Sequence, residues 1–353
     1  MKIRKLKMIT TLFVMVALIT SLAACGSSQK EDTNNTSSNE GTEQTENSNV
    51  QKGEFVLKMA SPSNLDDNNV KAFYYFEEEV EKATDGRIDV QVFDSGQLGD
   101  HKDYISSLQM GSIQAAEINT SVLNSIDDSF MVFDLPYVVK GMDHAREVIE
   151  SGIGEILSKK LEEKTNIVIG GWMIRAPRSV YSSKGPITDV SDFKGLKIRV
   201  MDSPIMIRTM ELLEATAVPV AASERYMALQ TGVVDAAENA PAIILAQKEY
   251  EVTQYLSLTE HFCTPNVIAI DKNFLDSLPE DLRTIVLEKA AEAGVYAQQL
   301  DAESLEETLE ALEAEGMTIV EVPDKSSFIE KLQPLYDEYA DKIGQDIIDA
   351  FMK

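Results

Sequence analysis

The sequence predicts an α/β fold in two lobes, built on mainly parallel sheets and spanned by one long helix. Three observations carry this. Residues 55–118 and 167–270 alternate short strand patterns with helical ones, the order that gives parallel strands with covering helices. About 300 residues follow the N-terminal region, more than one small core organises. From Leu282 to Leu312, apolar residues recur mostly every third or fourth position. One helix of about 36 residues, or two nearly collinear ones, would reach roughly 50 Å, too far for a single lobe.

Taken in order, Phe55, Leu57 and Met59 alternate with polar or small neighbours, a first strand. Val70, Phe73, Phe76, Val80 and Ala83 keep helical spacing, and Gly86 offers a left-handed stop. Ile88, Val90 and Val92 alternate again. A helix is expected over Asp100–Met110 and a short strand over Ile113–Ile118. The pattern resumes with strands at Ile167–Gly170 and Leu196–Val200, a helix over Ile205–Glu214 and a strand at Val218–Val220. A helix starting at Ser223 and a strand at Val233–Ala237 follow. Val267–Ile270 is a continuous apolar run suited to a central parallel strand. Ser277 and Glu280 have capping-box spacing at the start of the long helix, Gly316 closes it, and Gly294 is the expected bend.

The N-terminus predicts export. Lys2, Arg4, Lys5 and Lys7 precede an apolar stretch from Met8 to Leu22, which ends at Leu22-Ala23-Ala24-Cys25. The run is short for a membrane span and reads as a signal peptide. Its last four residues resemble a bacterial lipobox, so residues 1–24 are the expected leader and Cys25 the expected lipidation site. The alternative is an ordinary leader with a chance cysteine. Residues 26–52 carry one large aliphatic, Val50, and no aromatic. Such a stretch cannot offset its ordering entropy by burial, so it is expected to be a disordered tether.

The formal charge is −27, and losing the leader's four cations leaves −31. That argues against nucleic acid and against a basic face on anionic lipid. An anionic ligand therefore needs a local cluster of cations and donors. With Cys25 committed, Cys263 has no disulfide partner.

Catalytic signatures are few. The chain has no phosphate-binding loop, dinucleotide turn, nucleophile elbow or zinc-protease helix. His101, His144 and His261 have no metal-ligand spacing, and no metal or cofactor is expected. His261 and Cys263, two apart, could pair as base and nucleophile, or be a surface imidazole beside a buried thiol. Better represented are anchors for an anion. Arg199 lies in the alternating Lys197-Ile198-Arg199-Val200, Arg178 precedes Ser179–Ser183, and Asn239 follows the Val233–Ala237 strand. Ligands of open α/β sheets sit at the carboxyl ends of strands, and a guanidinium matches a carboxylate with two parallel bonds. Periodicity alone equally allows solvated or surface-paired arginines.

Several motifs stand together in one order. They are Ser95-Gly96-Gln97-Leu98-Gly99, Phe133-Asp134-Leu135-Pro136-Tyr137, Lys194–Val200, Ala228–Asn239, Tyr250-Glu251-Val252 and Leu278–Leu282. This set, covering residues 54 to 340, resembles the DctP-type solute-binding proteins of TRAP (tripartite ATP-independent periplasmic) transporters. The resemblance implies a periplasmic-binding-protein-like fold with a hinge, a ligand cleft between lobes and a long helix across both. Lobe I would hold residues 53–175 and about 265–300, and lobe II residues 176–264 and about 301–353. It also implies that Arg199 pairs with a ligand carboxylate, with help from Arg178 and Asn239. Asn119, Thr120 and Ser121 would line the cleft, as would Asn64 and Asp66. Some relatives carry a bulky residue where this chain has Ala222, so Trp172 or Tyr181 could fill the space instead. Pro177–Tyr181 looks like a branch that includes sugar-acid binders. The expected function is capture of a hexuronate or related sugar acid and delivery to a TRAP permease by hinge closure, as a lipid-anchored monomer. A C4-dicarboxylate ligand, a receptor's sensing subunit and an extracytoplasmic hydrolase are the alternatives.

Overall fold

The computed structural model describes residues 52–353; the expected leader, Cys25 and nearly all of the tether lie outside the described residues. Strands β1 (Phe55–Ala60), β2 (Ile88–Phe93), β3 (Ala115–Asn119), β4 (Ile167–Met173), β5 (Arg178–Ser182), β6 (Lys197–Val200), β7 (Thr216–Pro219), β8 (Ala236–Asn239), β9 (Tyr255–Phe262), β10 (Asn266–Asp271) and β11 (Thr318–Val320) form two sheets. The first runs β2-β1-β3-β10-β4 and the second β11-β9-β5-β8-β6-β7. The chain therefore crosses between sheets after Met173 and returns between Phe262 and Asn266. With helices packed around each sheet, the molecule is a two-lobed α/β protein.

Both sheets are mainly parallel, with one strand in each, β10 and β5, running against the rest; the expected parallel direction of the 267–270 strand is thereby corrected. β10 is central, but it runs antiparallel to both neighbours, pairing Asn266 with Asn119 and with Met173. Its six buried residues follow from cover on both faces, and a continuous apolar run records that cover, not direction. In the second sheet β6 runs parallel to β7 and β8, and β5 antiparallel to β8 and β9. The expected Val233–Ala237 strand lies three residues later. Val233 is half-exposed just after the turn, and β8 ends on Asn239 instead of preceding it.

In the first lobe, α1 (Asn68–Ala83) buries Val70, Phe73, Phe76 and Val80, the predicted face. A full capping box from Asp100 and Asp103 starts α2 (His101–Gln109). Three more helices follow: α3 (Thr120–Leu123), α4 (Met142–Val148) and α5 (Gly154–Thr165). The second lobe adds α6 (Pro204–Leu212), α7 (Arg225–Gln230), preceded by a 3₁₀ turn over Ala222–Glu224, and α8 (Pro241–Ala246). Then come α9 (Lys272–Ser277), α10 (Glu280–Ala314), α11 (Ser326–Leu332), α12 (Pro334–Ile343) and α13 (Gln345–Phe351).

The long helix α10 has 35 residues and no break. Ser277 does not cap it: that residue ends α9, its hydroxyl donating to Phe274 O, and Pro279 sits at the cap position. Gly294 is not a bend either. A Cβ there would lie 2.6 Å from Trp172 O, so the glycine lets α10 lie directly on β4. Farther along, α10 meets α8 and β11 of the second lobe. The C-terminal helices touch both lobes: Phe351 of α13 packs edge-on against Phe133 at 5.3 Å, while α12 contacts α6. Asp134 joins the lobes from within. Fully buried, its carboxylate accepts from Ser121 Oγ at the start of α3 and from Ser203 Oγ at the cap of α6. Burial pushes it up to about 6.

Candidate functional site

The two sheets present their ligand-side edges to each other. Asn119 ends β3, Asn266 begins the antiparallel β10, and Arg175 follows β4. Facing them, Arg178 begins β5, Arg199 lies one residue from the end of β6, and Asn239 ends β8. Between them is a cavity of about 290 Å³. Its mouth is bridged from lobe to lobe. Asn64 Nδ2 donates to Ala246 O at 2.7 Å, Ser223 N to Asp100 Oδ2 at 2.8 Å, and Lys102 pairs with Asp202. The lobes are closed over the space.

Four arginines line this cavity: Arg175, Arg178, Arg199 and Arg225. Arg178 is neutralised by Glu238, with Nε to Oε2 at 2.5 Å and Nη2 to Oε1 at 2.8 Å. Glu238 lies opposite Val180 in the β5–β8 pairing, hence diagonal to Arg178. Arg225 donates Nε to Glu249 Oε1 at 2.6 Å, and Tyr181 donates its hydroxyl to the other oxygen at 2.5 Å. Arg175 sits among Asp67, which it hydrogen-bonds, Asp301 at 3.8 Å and Glu117 at 3.9 Å.

Arg199 differs from the other three. It is 1 % exposed and makes no ion pair among the described residues. Nε donates to Val220 O at 2.8 Å, and Nη1 is buried without a partner; Arg175 also has unpartnered donors, Nε and Nη1, but its charge is met by carboxylates. Burial first, and then the neighbouring Arg225 and Arg178 guanidiniums, hold its acidity constant down at about 10. A buried cation with an unmet donor is costly until an anion arrives.

The first lobe supplies the opposite wall. Glu117, mid-strand in β3, accepts from Ser61 Oγ at 2.5 Å, Asn69 Nδ2 at 2.8 Å and Asn266 Nδ2. Asn119 Nδ2 donates to Asn266 Oδ1 at 2.5 Å, while its Oδ1 caps α3. His101 Nδ1 lies 3.0 Å from Glu117 O.

Of the residues singled out from sequence, Arg199, Arg178, Asn239, Asn119 and Asn64 line the cavity. Four do not. Asp66 is exposed outside it. Thr120 is buried, donating to Pro265 O. Trp172 packs its ring 5.8 Å from Phe133. Tyr181 stands behind the wall, fixing Glu249. Neither aromatic fills the space beside Ala222, which opens into an adjoining hollow of about 320 Å³. Arg175, Arg225 and Glu117 escaped the sequence reading. A charged residue inside an apolar strand, as in Ala115-Ala116-Glu117-Ile118, was the available signal.

The nucleophile alternative finds no geometry. His261 Nδ1 meets Thr259 Oγ1 at 2.9 Å, and Cys263 Sγ lies 3.5 Å from Arg175 O, so they do not bond each other. Burial drives the thiol up to about 12 and the imidazole down to about 4. No cluster of metal-ligating side chains occurs among the described residues.

Comparison with known proteins agrees with this geometry. The model of "bacterial extracellular solute-binding protein, family 7" (DctP) matches residues 59–342. The C4-dicarboxylate-binding periplasmic protein DctP of Rhodobacter capsulatus is 33 % identical over 84 % of this chain and 89 % of its own. A TRAP periplasmic solute-binding protein from Chromohalobacter salexigens, solved with bound d-glucuronate, superposes with a TM-score of 0.79. It is 31 % identical, over 83 % of this chain and 99 % of that one. A sugar acid binding protein from Advenella mimigardefordensis, solved with galactonate, gives 0.82 at 28 % identity, over 86 % and 99 %. The chain belongs to family 7 of the bacterial extracellular solute-binding proteins, the DctP family.

Proposed function

We propose that this protein captures a hexuronate or related sugar acid by hinge closure and delivers it to a TRAP membrane permease. The observation that carries the reading is Arg199, a buried guanidinium with an unmet donor at the edge of a closed cavity. The ligand carboxylate would complete it, with Arg178 and Asn239 beside it, and Asn119 and Asn64 lining the cleft. Relatives solved with d-glucuronate and galactonate support a polyhydroxylated acid. Closure follows from ligand contacts to both lobes, which stabilise the closed form only as far as they favour it over the open one.

A thermal-shift screen across hexuronates, aldonates and succinate tests this. At a hundredfold excess over Kd, a ligand adds about 2.7 kcal/mol of stability, a rise of several degrees. If no organic acid moves the midpoint, the reading fails.

We also place Cys25 as a lipid anchor, with the following polar stretch as tether and lobe limits near residues 175, 265 and 300. A single acyl chain binds membranes marginally, whereas a multiply acylated cysteine holds firmly. Cys25→Ser should therefore appear in the soluble fraction or stay unprocessed. Mature protein that still pellets with membranes would remove the anchor.

A further inference from the structure

The charges around the cavity add up differently on its two walls. On the second lobe, Arg178 is cancelled by Glu238 and Arg225 by Glu249, leaving only Arg199 uncompensated. On the first lobe, one cation, Arg175, faces three carboxylates: Asp67, Glu117 and Asp301. Lobe II thus offers one net positive charge, while lobe I offers acceptors and the amides of Asn119 and Asn266. A second carboxylate reaching lobe I would face Glu117.

Arg175 also keeps donors without acceptors, Nε and Nη1, but it stands among three carboxylates, which leaves Arg225 as the better receiver of a second anionic group. Arg225 is 4 % exposed and lines the cavity, Nε is spent on Glu249, and the described residues give its Nη atoms no acceptor. Glu249 is itself fixed: it is buried, Arg225 holds one oxygen and the Tyr181 hydroxyl the other. This carboxylate sits where it removes the charge of Arg225 while leaving its donors available.

Resting on the reading that a ligand carboxylate meets Arg199, we infer that Glu249, held by Tyr181, sets the ligand's charge: by neutralising Arg225 it admits singly charged polyhydroxy acids and rejects dianions of the same skeleton. Arg225 then donates to a neutral ligand hydroxyl or shares the one carboxylate. Specificity here is an unfavourable term against the competitor as well as a contact with the preferred ligand.

Calorimetry with matched pairs tests it: gluconate against glucarate, and galactonate against galactarate. The wild type should bind the monoanion of a pair at least tenfold more tightly. Glu249→Gln, which keeps the shape and uncovers the charge of Arg225, should move that ratio tenfold or more toward the dianion. Arg225→Gln/Glu249→Gln, with the pair neutral again, should return the ratio to the wild-type side even if both affinities drop or Glu249→Gln alone fails to fold. A wild type that binds the dianion equally well or better, or binds no member of either pair, overturns the inference. So does a ratio that Glu249→Gln leaves unmoved, or a double variant with the single variant's ratio. Failure of the underlying reading looks different: Arg199→Ala would then bind the monoanion as the wild type does.

Discussion

Arg199→Ala is expected to weaken binding of the sugar acid by about 30- to several-thousand-fold. Removing one partner of a buried charged pair costs about 2–5 kcal/mol, because the other charge is left desolvated, and each 1.4 kcal/mol is a decade in affinity. Arg199→Lys keeps the charge but loses the planar fork, so it should fall between. The same residue should act with opposite sign on the empty protein. In the closed form Arg199 is a buried cation with no ion pair among the described residues and an unmet Nη1 donor. Replacing such a group with an apolar one of similar volume commonly stabilises. Arg199→Met should therefore melt higher than the wild type without ligand while failing to bind. Calorimetry and thermal denaturation on the same preparation decide it. An affinity within about a factor of two of wild type would mean that Arg199 is not the anchor, since exposed or unused cations contribute little.

Arg175→Met should have the largest effect on folding. It leaves Asp67, Glu117 and Asp301 together in the interior without their common cation. Breaking a buried pair in this way costs about 3–5 kcal/mol, or roughly 10 °C in thermal midpoint. The loss should depend on pH in a definite direction. Asp301 is already raised above the usual carboxylate range by burial, against the pull of Arg175; without the arginine it rises further. A carboxyl raised in the folded state favours folding while protonated, and that advantage is lost as pH climbs through its folded value. The variant's deficit should thus shrink as pH falls below neutral and widen as pH rises. A midpoint within 2 °C of wild type at pH 7 would show that water reaches the three carboxylates.

The two halves of the molecule were unequally legible. β1, α1, β2 and α2 followed from periodicity because each buries one face and exposes the other, as Phe73, Phe76 and Val80 do on α1. Strand direction in β10 was invisible, since every one of its side chains is buried whichever way it runs. Ser277 had the spacing of a cap, but tertiary packing ended α9 there. In the site, Arg199 and Asn239 were readable through the resemblance and their place at strand ends. Arg175 and Arg225 were not, because what defines them is partners distant in sequence, Asp67 and Glu249. Trp172 and Tyr181 were drawn in by residue type alone, and packing or a hydroxyl partner behind the wall claimed them.

The position of β10 also bears on how the chain reaches this state. In the first sheet, β3 and β4 are separated by a strand that lies nearly a hundred residues after β4 in the sequence. Until residues 266–271 are available, β3 and β4 each keep an open edge, and α10, which covers β4, comes later still. Contacts of such long sequence separation close slowly, because loop entropy is lost before they form. The first lobe therefore cannot complete itself from its own N-terminal stretch: its sheet closes only after β5 to β9 of the second lobe have been made, and of that lobe's strands only β11 comes later.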